Sequence, residues 1–128
     1  KGDYETAKDE FLNTLNAARD EYGAEAKYLL ADIFYLTKEY AQCKETVISL
    51  NNDFAAYDIW VGKAFLLLAD NSLAQDDVFQ AKATLESLIQ HFPLQGIKDQ
   101  AKAKLAEIEK ANMKKEAEIA GDTLDNNR

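Results

Sequence analysis

The chain has 128 residues, 47% of them hydrophobic and 30% charged, with a formal net charge of −8 at pH 7. That is a globular balance, and the acidic excess argues against nucleic acid and anionic lipid as partners, because both select basic patches. The single cysteine excludes an intrachain disulfide, and no apolar run approaches the ~20 residues of a membrane span. One proline and five glycines leave long uninterrupted segments, which favours helices. A chain of this size buries roughly two-thirds of its unfolded surface, enough for a core. Lys1 is not a natural start, so the sequence reads as a piece of a longer protein.

Taken in order, residues 1–22 read as one helix, with Tyr4, Ala7, Phe11, Thr14, Leu15 and Ala18 at spacings of three and four. Gly23 is expected to punctuate. A helix over 25–37 turns Ala26, Leu29, Leu30, Ile33 and Phe34 inward, and Lys38-Glu39 is a short turn. The next helix, 40–51, carries Cys43, Val47 and Leu50 inward, and Asn51-Asn52-Asp53 reads as a polar break. A long helix over 57–74 follows, with Trp60, Ala64, Phe65, Leu67 and Leu68. Gly62 costs it about 1 kcal/mol against alanine, which is explained if another backbone comes close. Asp76-Asp77 closes that segment and can cap the helix over 78–91. Pro93 ends it and pushes Phe92 out of the helical region. A last helix from 97 to about 114 has a narrow stripe of Ile97, Ala101, Leu105 and Ile108, suited to a terminal cap. Residues 113–128 are expected to form a polar, frayed tail.

The chain repeats itself. Ala26-Lys27-Tyr28-Leu29-Leu30-Ala31-Asp32 matches Ala64-Phe65-Leu66-Leu67-Leu68-Ala69-Asp70 at an offset of 38 residues. In the same register Tyr40 falls on Val78, Cys43 on Ala81, Val47 on Leu85, Leu50 on Leu88 and Phe54 on Phe92. An internal repeat of this length means stacked helix pairs that cannot bury their apolar faces singly. Small residues at Ala31, Ala69, Cys43 and Ala81 let the helices of a pair approach, and Leu30, Phe34, Leu68 and Tyr40 fill the space between pairs. Leu30 and Leu68 are both expected to be nearly fully buried.

These residues resemble tetratricopeptide repeats. In that family a leucine and a small residue mark the first helix. An aromatic opens the second, a small residue follows three later, and a proline closes the pair. The first pair matches with Leu30, Ala31, Phe34, Tyr40, Cys43, Val47 and Leu50, the second with Leu68, Ala69, Val78, Ala81, Leu85, Leu88 and Pro93. Gly2-Asp3-Tyr4, Ala7 and Phe11 resemble the second helix of an earlier pair. Ser72 stands where the first pair has Phe34, and Ala55 where it would have its proline. The spacing exceeds the family's ~34. The resemblance implies an all-α helical-repeat solenoid of antiparallel pairs in a right-handed superhelix. Its parts are a half repeat (2–22), repeats at 24–54 and 57–93, and a capping helix at 97–112. Spacing and style are similar to bacterial envelope tetratricopeptide proteins, which points to the periplasm or envelope.

No arrangement of residues points to catalysis. Cys43 lies on the inward stripe opposite Ala81, where a small apolar role outweighs a nucleophilic one. His91, the sole histidine, sits at a helix end, and one histidine with one cysteine makes a zinc site unpromising. The acidic pairs Asp76-Asp77 and Asp9-Glu10 cannot share a helix face. No phosphate loop or nucleophile elbow is present in the sequence, and no cofactor is expected.

By resemblance, the first helices of the pairs line a concave groove. Glu25, Tyr28, Asp32, Tyr35 and Leu36 from one pair, and Lys63, Leu66, Asp70 and Leu73 from the next, would face it. Independently of the family, these residues fall off the core stripe, and Tyr28, Asp32 and Tyr35 share one face. Asp32 and Asp70 would repel a carboxylate, so the expected partner is a basic or neutral protein or peptide segment. The expected function is protein–protein binding within a larger array. The alternative is a structural spacer or oligomerising segment with no groove ligand. Self-association is expected through the N-terminal helix, as a symmetric pair, with the C-terminal end free.

Overall fold

A computed structural model describes residues 2–17 and 20–126, with the side chains of 3–12 and 20–121. Among these residues six helices follow one another: α1 (Gly2–Ala17), α2 (Glu21–Leu36), α3 (Tyr40–Asp53), α4 (Asp58–Ala74), α5 (Val78–His91) and α6 (Gln95–Asn126). Each helix packs on the next, and α2 also meets α4, which meets α6. The first members of the pairs therefore form an inner row, α2–α4–α6. The helices α1, α3 and α5 lie outside it and make no contacts with one another among the described residues.

The helix ends explain the connections. Asp20, with extended backbone, accepts hydrogen bonds from the Tyr22 and Gly23 amides at 3.1 and 3.4 Å. This N-cap starts α2 at Glu21. The expected single helix over 1–22 is thus two elements, and Gly23 is buried inside the first turn of α2 instead of ending a helix. Residues 18 and 19 lie outside the described residues. α2 and α4 end alike, with the repeat offset preserved. Lys38 (φ 63°) and Asp76 (φ 59°) take the left-handed conformation. The Glu39 amide donates to the Phe34 carbonyl at 2.8 Å and the Asp77 amide to the Ser72 carbonyl at 2.9 Å. Both are Schellman turns made without glycine. Asp77 then caps α5 by accepting from the Gln80 amide at 3.1 Å.

Two other expectations need correction. Asn51-Asn52-Asp53 is the last turn of α3, not a break, because the Phe54 amide still donates to the Leu50 carbonyl at 2.8 Å and the Phe54 ring is buried. The last helix is much longer than its stripe: it begins at Gln95 and runs to Asn126, with residues 109–121 exposed.

Two clusters make the core. One joins Ala24, Ala31, Cys43, Val47, Leu50, Phe54, Val61, Ala64 and Leu67. The other joins Leu66, Ala69, Ala81, Leu85, Leu88, Ile97, Ala101 and Ile108. Ala31, Cys43, Ala69 and Ala81 are all fully buried, as the close approach within pairs requires. Leu30 is buried, but Leu68 is only half-buried. Leu68 borders a hollow of about 260 Å³ beside Tyr40, Asn71 and Ser72. The small Ser72, standing where α2 has Phe34, leaves that space open. Gly62 also differs from expectation in what approaches it. A Cβ there would lie 2.7 Å from Ile97 Cγ1 and 2.9 Å from Phe92 Cε2, so side chains, not a backbone, demand the glycine.

Candidate binding groove

The inner row of helices builds one polar hollow of about 300 Å³. From α2 come Tyr28, Asp32 and Tyr35, one turn apart and on one side of the helix. From α4 come Lys63, Leu66, Leu67 and Asp70, and from α6 Gln100 and Lys104. Leu66 and Leu67 are buried and form the floor, while the half-exposed tyrosines and charged groups form the walls.

The charges are unevenly satisfied. Lys104 Nζ donates to both Asp70 carboxylate oxygens at 3.0 Å. Asp32 accepts no hydrogen bond and has no ion-pair partner among the described residues. Burial pushes its carboxyl above the ordinary carboxylate range, and the Asp70 charge adds to the rise. Burial likewise raises the Tyr28 phenol, with Asp32 and then Asp70 contributing. For Tyr35 burial leads again, followed by Asp70. Next to the hollow, Trp60 lies 5.8 Å from Tyr28, centroid to centroid, and Lys63 Nζ sits 4.9 Å above the Trp60 ring. The Trp60 Nε1 donor is buried with no acceptor among the described residues. A site of this kind, with two tyrosines, a carboxylate lacking a partner among the described residues and an apolar floor, suits a ligand carrying a hydrogen-bond donor or a cation.

Six of the nine groove candidates line this hollow: Tyr28, Asp32, Tyr35, Lys63, Leu66 and Asp70. Glu25 is half-buried on α2 and does not border it. Leu36 is exposed and borders a separate hollow with Tyr4, Lys8 and Glu39. Leu73 borders a third, of about 370 Å³, shared by Val78, Ile108 and Lys115, which has Asp70 and Lys104 as lining residues in common with the first. The contribution of α6 was missed. Gln100 and Lys104 are four apart and share a face, and Ala101 follows Ala64 by 37 residues. That puts Gln100 and Lys104 at the α6 positions matching Lys63 and Leu67. A third copy of the repeat motif, read across α6, would have found them.

Elsewhere the chemistry is quiet. Cys43 is fully buried, and burial, followed by the Asp32 charge, pushes its thiol up to about 12. It is therefore a protonated packing residue at neutral pH. Among the described residues no three His, Cys, Asp or Glu side chains gather as a metal site, and no helix is long and apolar enough to cross a membrane.

The family model described as tetratricopeptide repeat matches residues 63–94. That span covers α4 from Lys63, all of α5 and the proline turn behind it. The chain carries a tetratricopeptide repeat. No curated protein and no solved structure matches. The matched repeat is the second helix pair. The first pair repeats it in sequence and in its αL turn, so the two helix pairs share one design. Tetratricopeptide repeats generally serve as protein–protein interaction modules, which is the role this repeat suggests.

Proposed function

We propose that α2, α4 and α6 hold an extended segment of a protein partner, basic or neutral in character, with Asp32 as the docking point for its donor or cationic group. The observation that carries this reading is the Asp32 carboxylate. It is partly desolvated, faces the hollow and lacks a partner among the described residues, while the neighbouring Asp70 is already neutralised by Lys104. Leaving a carboxylate in that state costs free energy that a ligand's ammonium or guanidinium would offset. Tyr28 and Tyr35 lie one turn to either side of it on the same face of α2 and line the same hollow. Because Asp70 is occupied, one anchoring carboxylate is at work, not two. The remaining candidates, Glu25, Leu36 and Leu73, would meet only a ligand that continues beyond the hollow.

Trp60 is the only tryptophan, and its ring lies 5.8 Å from that of Tyr28, tilted by 43°, so its fluorescence reports on the groove. A library of short peptides, each with one lysine, arginine, glutamine or glutamate, is titrated against it. Basic and amidic peptides are expected to bind. Asp32→Asn weakens the basic ones roughly five- to tenfold, in line with loss of one partly desolvated charge pair. Lys104→Ala frees Asp70 and tightens the same peptides. Selection of acidic peptides only, with no response to Asp32→Asn, would refute the reading.

A second reading concerns self-association through α1. Ala7 and Phe11 are half-buried, and Tyr4 and Leu12 are 40% and 47% exposed. An apolar face of this kind commonly finds a partner.

A further inference from the structure

The two interfaces between successive helix pairs present the same positions and fill them differently. α1 follows the second-helix pattern, with Tyr4, Ala7 and Lys8 standing 36 residues before Tyr40, Cys43 and Lys44. Phe34 and Glu39 stand 38 residues before Ser72 and Asp77. The backbones correspond as well, since the Phe34 and Ser72 carbonyls each accept the amide that closes the αL turn of their helix, at 2.8 and 2.9 Å.

At the first interface the space is taken. The Phe34 ring packs against the core, Lys8 Nζ lies 5.0 Å from its centroid, and the same ammonium pairs with Glu39 at 2.8 Å. At the second interface Ser72 has no ring to offer. Lys44, at the position of Lys8, is exposed and makes no ion pair or ring contact among the described residues. Asp77, at the position of Glu39, accepts from the Gln80 amide instead. What is left is the hollow of about 260 Å³ between α3, α4 and α5, walled by Tyr40, Lys44, Leu68, Asn71 and Gln80. It is smaller than the ~300–1,000 Å³ of sites for drug-sized molecules, so it suits a single side chain.

Asn71 marks the same hollow independently. It is 1% exposed, its Nδ2 donates to the Tyr40 carbonyl at 3.1 Å, and its Oδ1 is buried with no donor among the described residues. The first pair has the apolar Ile33 at this position, so helix packing alone does not call for an amide. A buried acceptor left unmet costs free energy that a donor entering the hollow would offset.

We infer that this hollow takes a tyrosine side chain presented by a partner protein. The ring enters where Phe34 lies in the first pair, and Lys44 stands over it as Lys8 stands over Phe34. The phenol hydroxyl donates to Asn71 Oδ1. Phenylalanine has the shape but leaves Asn71 unmet, a lysine would meet Lys44, and a carboxylate would meet Asp77. The site lies on the α3–α5 side of α4, whereas the groove uses Lys63, Leu66, Leu67 and Asp70 of that helix. It is therefore separate from the groove and does not depend on Asp32.

The test follows amide chemical shifts of the isotope-labelled 128-residue chain by NMR. The probe is the neutral peptide acetyl-Gly-Ser-Tyr-Ser-Gly-amide, compared with versions carrying phenylalanine or alanine at the centre. The tyrosine peptide is expected to move the Lys44, Asn71 and Ser72 amides saturably at millimolar concentration. The phenylalanine version binds at least about threefold more weakly, as loss of one hydrogen bond implies, and the alanine version does not bind. Lys44→Met weakens the tyrosine peptide about two- to fivefold. Ser72→Phe supplies the ring from within the chain, so it raises the melting temperature and abolishes the shifts. p-Cresol, the bare side chain, moves the same amides. p-Cresol shifts without peptide shifts would assign the hollow to a free phenol and overturn the protein partner. A phenylalanine peptide as tight as the tyrosine one would overturn the hydroxyl contact and with it the choice of tyrosine. Absence of shifts, shifts that persist in Ser72→Phe, or a lowered melting temperature for that variant would overturn the inference as a whole.

Discussion

Replacing Gly62 with alanine adds one methyl group where α4 meets the turn into α6. On helix propensity alone the change stabilises, by about 0.8–1 kcal/mol in a helix interior. The structure opposes it. The new Cβ would lie 2.7 and 3.0 Å from Ile97 Cγ1 and Cδ1, and 2.9 Å from Phe92 Cε2. Phe92 is half-buried and its ring edge can swing aside. Ile97 is 1% exposed and β-branched, so its rotamer is stiff. Overpacking of this sort costs about 1–3 kcal/mol. Net of the propensity gain, Gly62→Ala should destabilise by about 1 kcal/mol, or roughly 3–5 °C in melting temperature for a domain of this size. Circular-dichroism melts and urea titrations measure it. Gly96→Ala, with nothing within 4 Å of its added Cβ, is the control and should change stability by less than about 0.5 kcal/mol. The decisive step is a cycle with Ile97→Ala, which alone costs about 2–5 kcal/mol. In that background the clash with Ile97 is gone, and Gly62→Ala should become neutral or stabilising. A stabilised Gly62→Ala in the unmodified chain, or the same cost in both backgrounds, would refute the argument that Ile97 is what excludes a side chain.

Other outcomes follow from burial, backbone and charge. Leu30→Ala should cost about 2–5 kcal/mol and Leu68→Ala clearly less, since Leu68 borders a hollow; urea midpoints compare them, and equal costs would contradict the Ser72 explanation. Lys38→Gly should stabilise by about 0.5–1 kcal/mol by relieving a left-handed residue that lacks a short polar side chain, and Lys38→Val should do the reverse in thermal melts. For Asp32 the folded pKa lies above the unfolded one, so its contribution to stability is full at low pH and is lost as pH rises through the folded value. Asp32→Asn should therefore raise the melting temperature at pH 7, and the gain should shrink as pH falls through the ordinary carboxylate range of ~4. A gain that persists below that range would show that desolvation of the charge is not its cause.

Much of the fold was legible because helix pairing leaves local marks. The offset between Ala26–Asp32 and Ala64–Asp70, with the small residues at Cys43 and Ala81, identified the pairs, and the clusters confirm that those residues pack. The α5 boundaries follow from Asp77 and Pro93, residues whose effect acts within a turn. Apolar spacing could not locate the break before α2. The Asp20 cap that makes it depends on an extended conformation, and the stripe from Tyr4 onward runs through it without a change of period. Burial beside Ser72 was equally hidden. The repeat equates Leu68 with Leu30, but how deeply each sits depends on a neighbour one turn away and on the facing helix.

The groove divides along the same line. Tyr28, Asp32 and Tyr35 share a face by helical geometry alone, so sequence by itself determined their grouping. That α6 would reach across with Lys104 to neutralise Asp70, leaving Asp32 as the unpartnered carboxylate, depended on tertiary structure. The two residues are 34 apart in the chain and meet only because α4 packs on α6. Periodicity records which side of a helix faces inward. The distance between α4 and α6, across which Lys104 reaches Asp70, depends on the bare backbone of Gly62 admitting the side chains of Phe92 and Ile97.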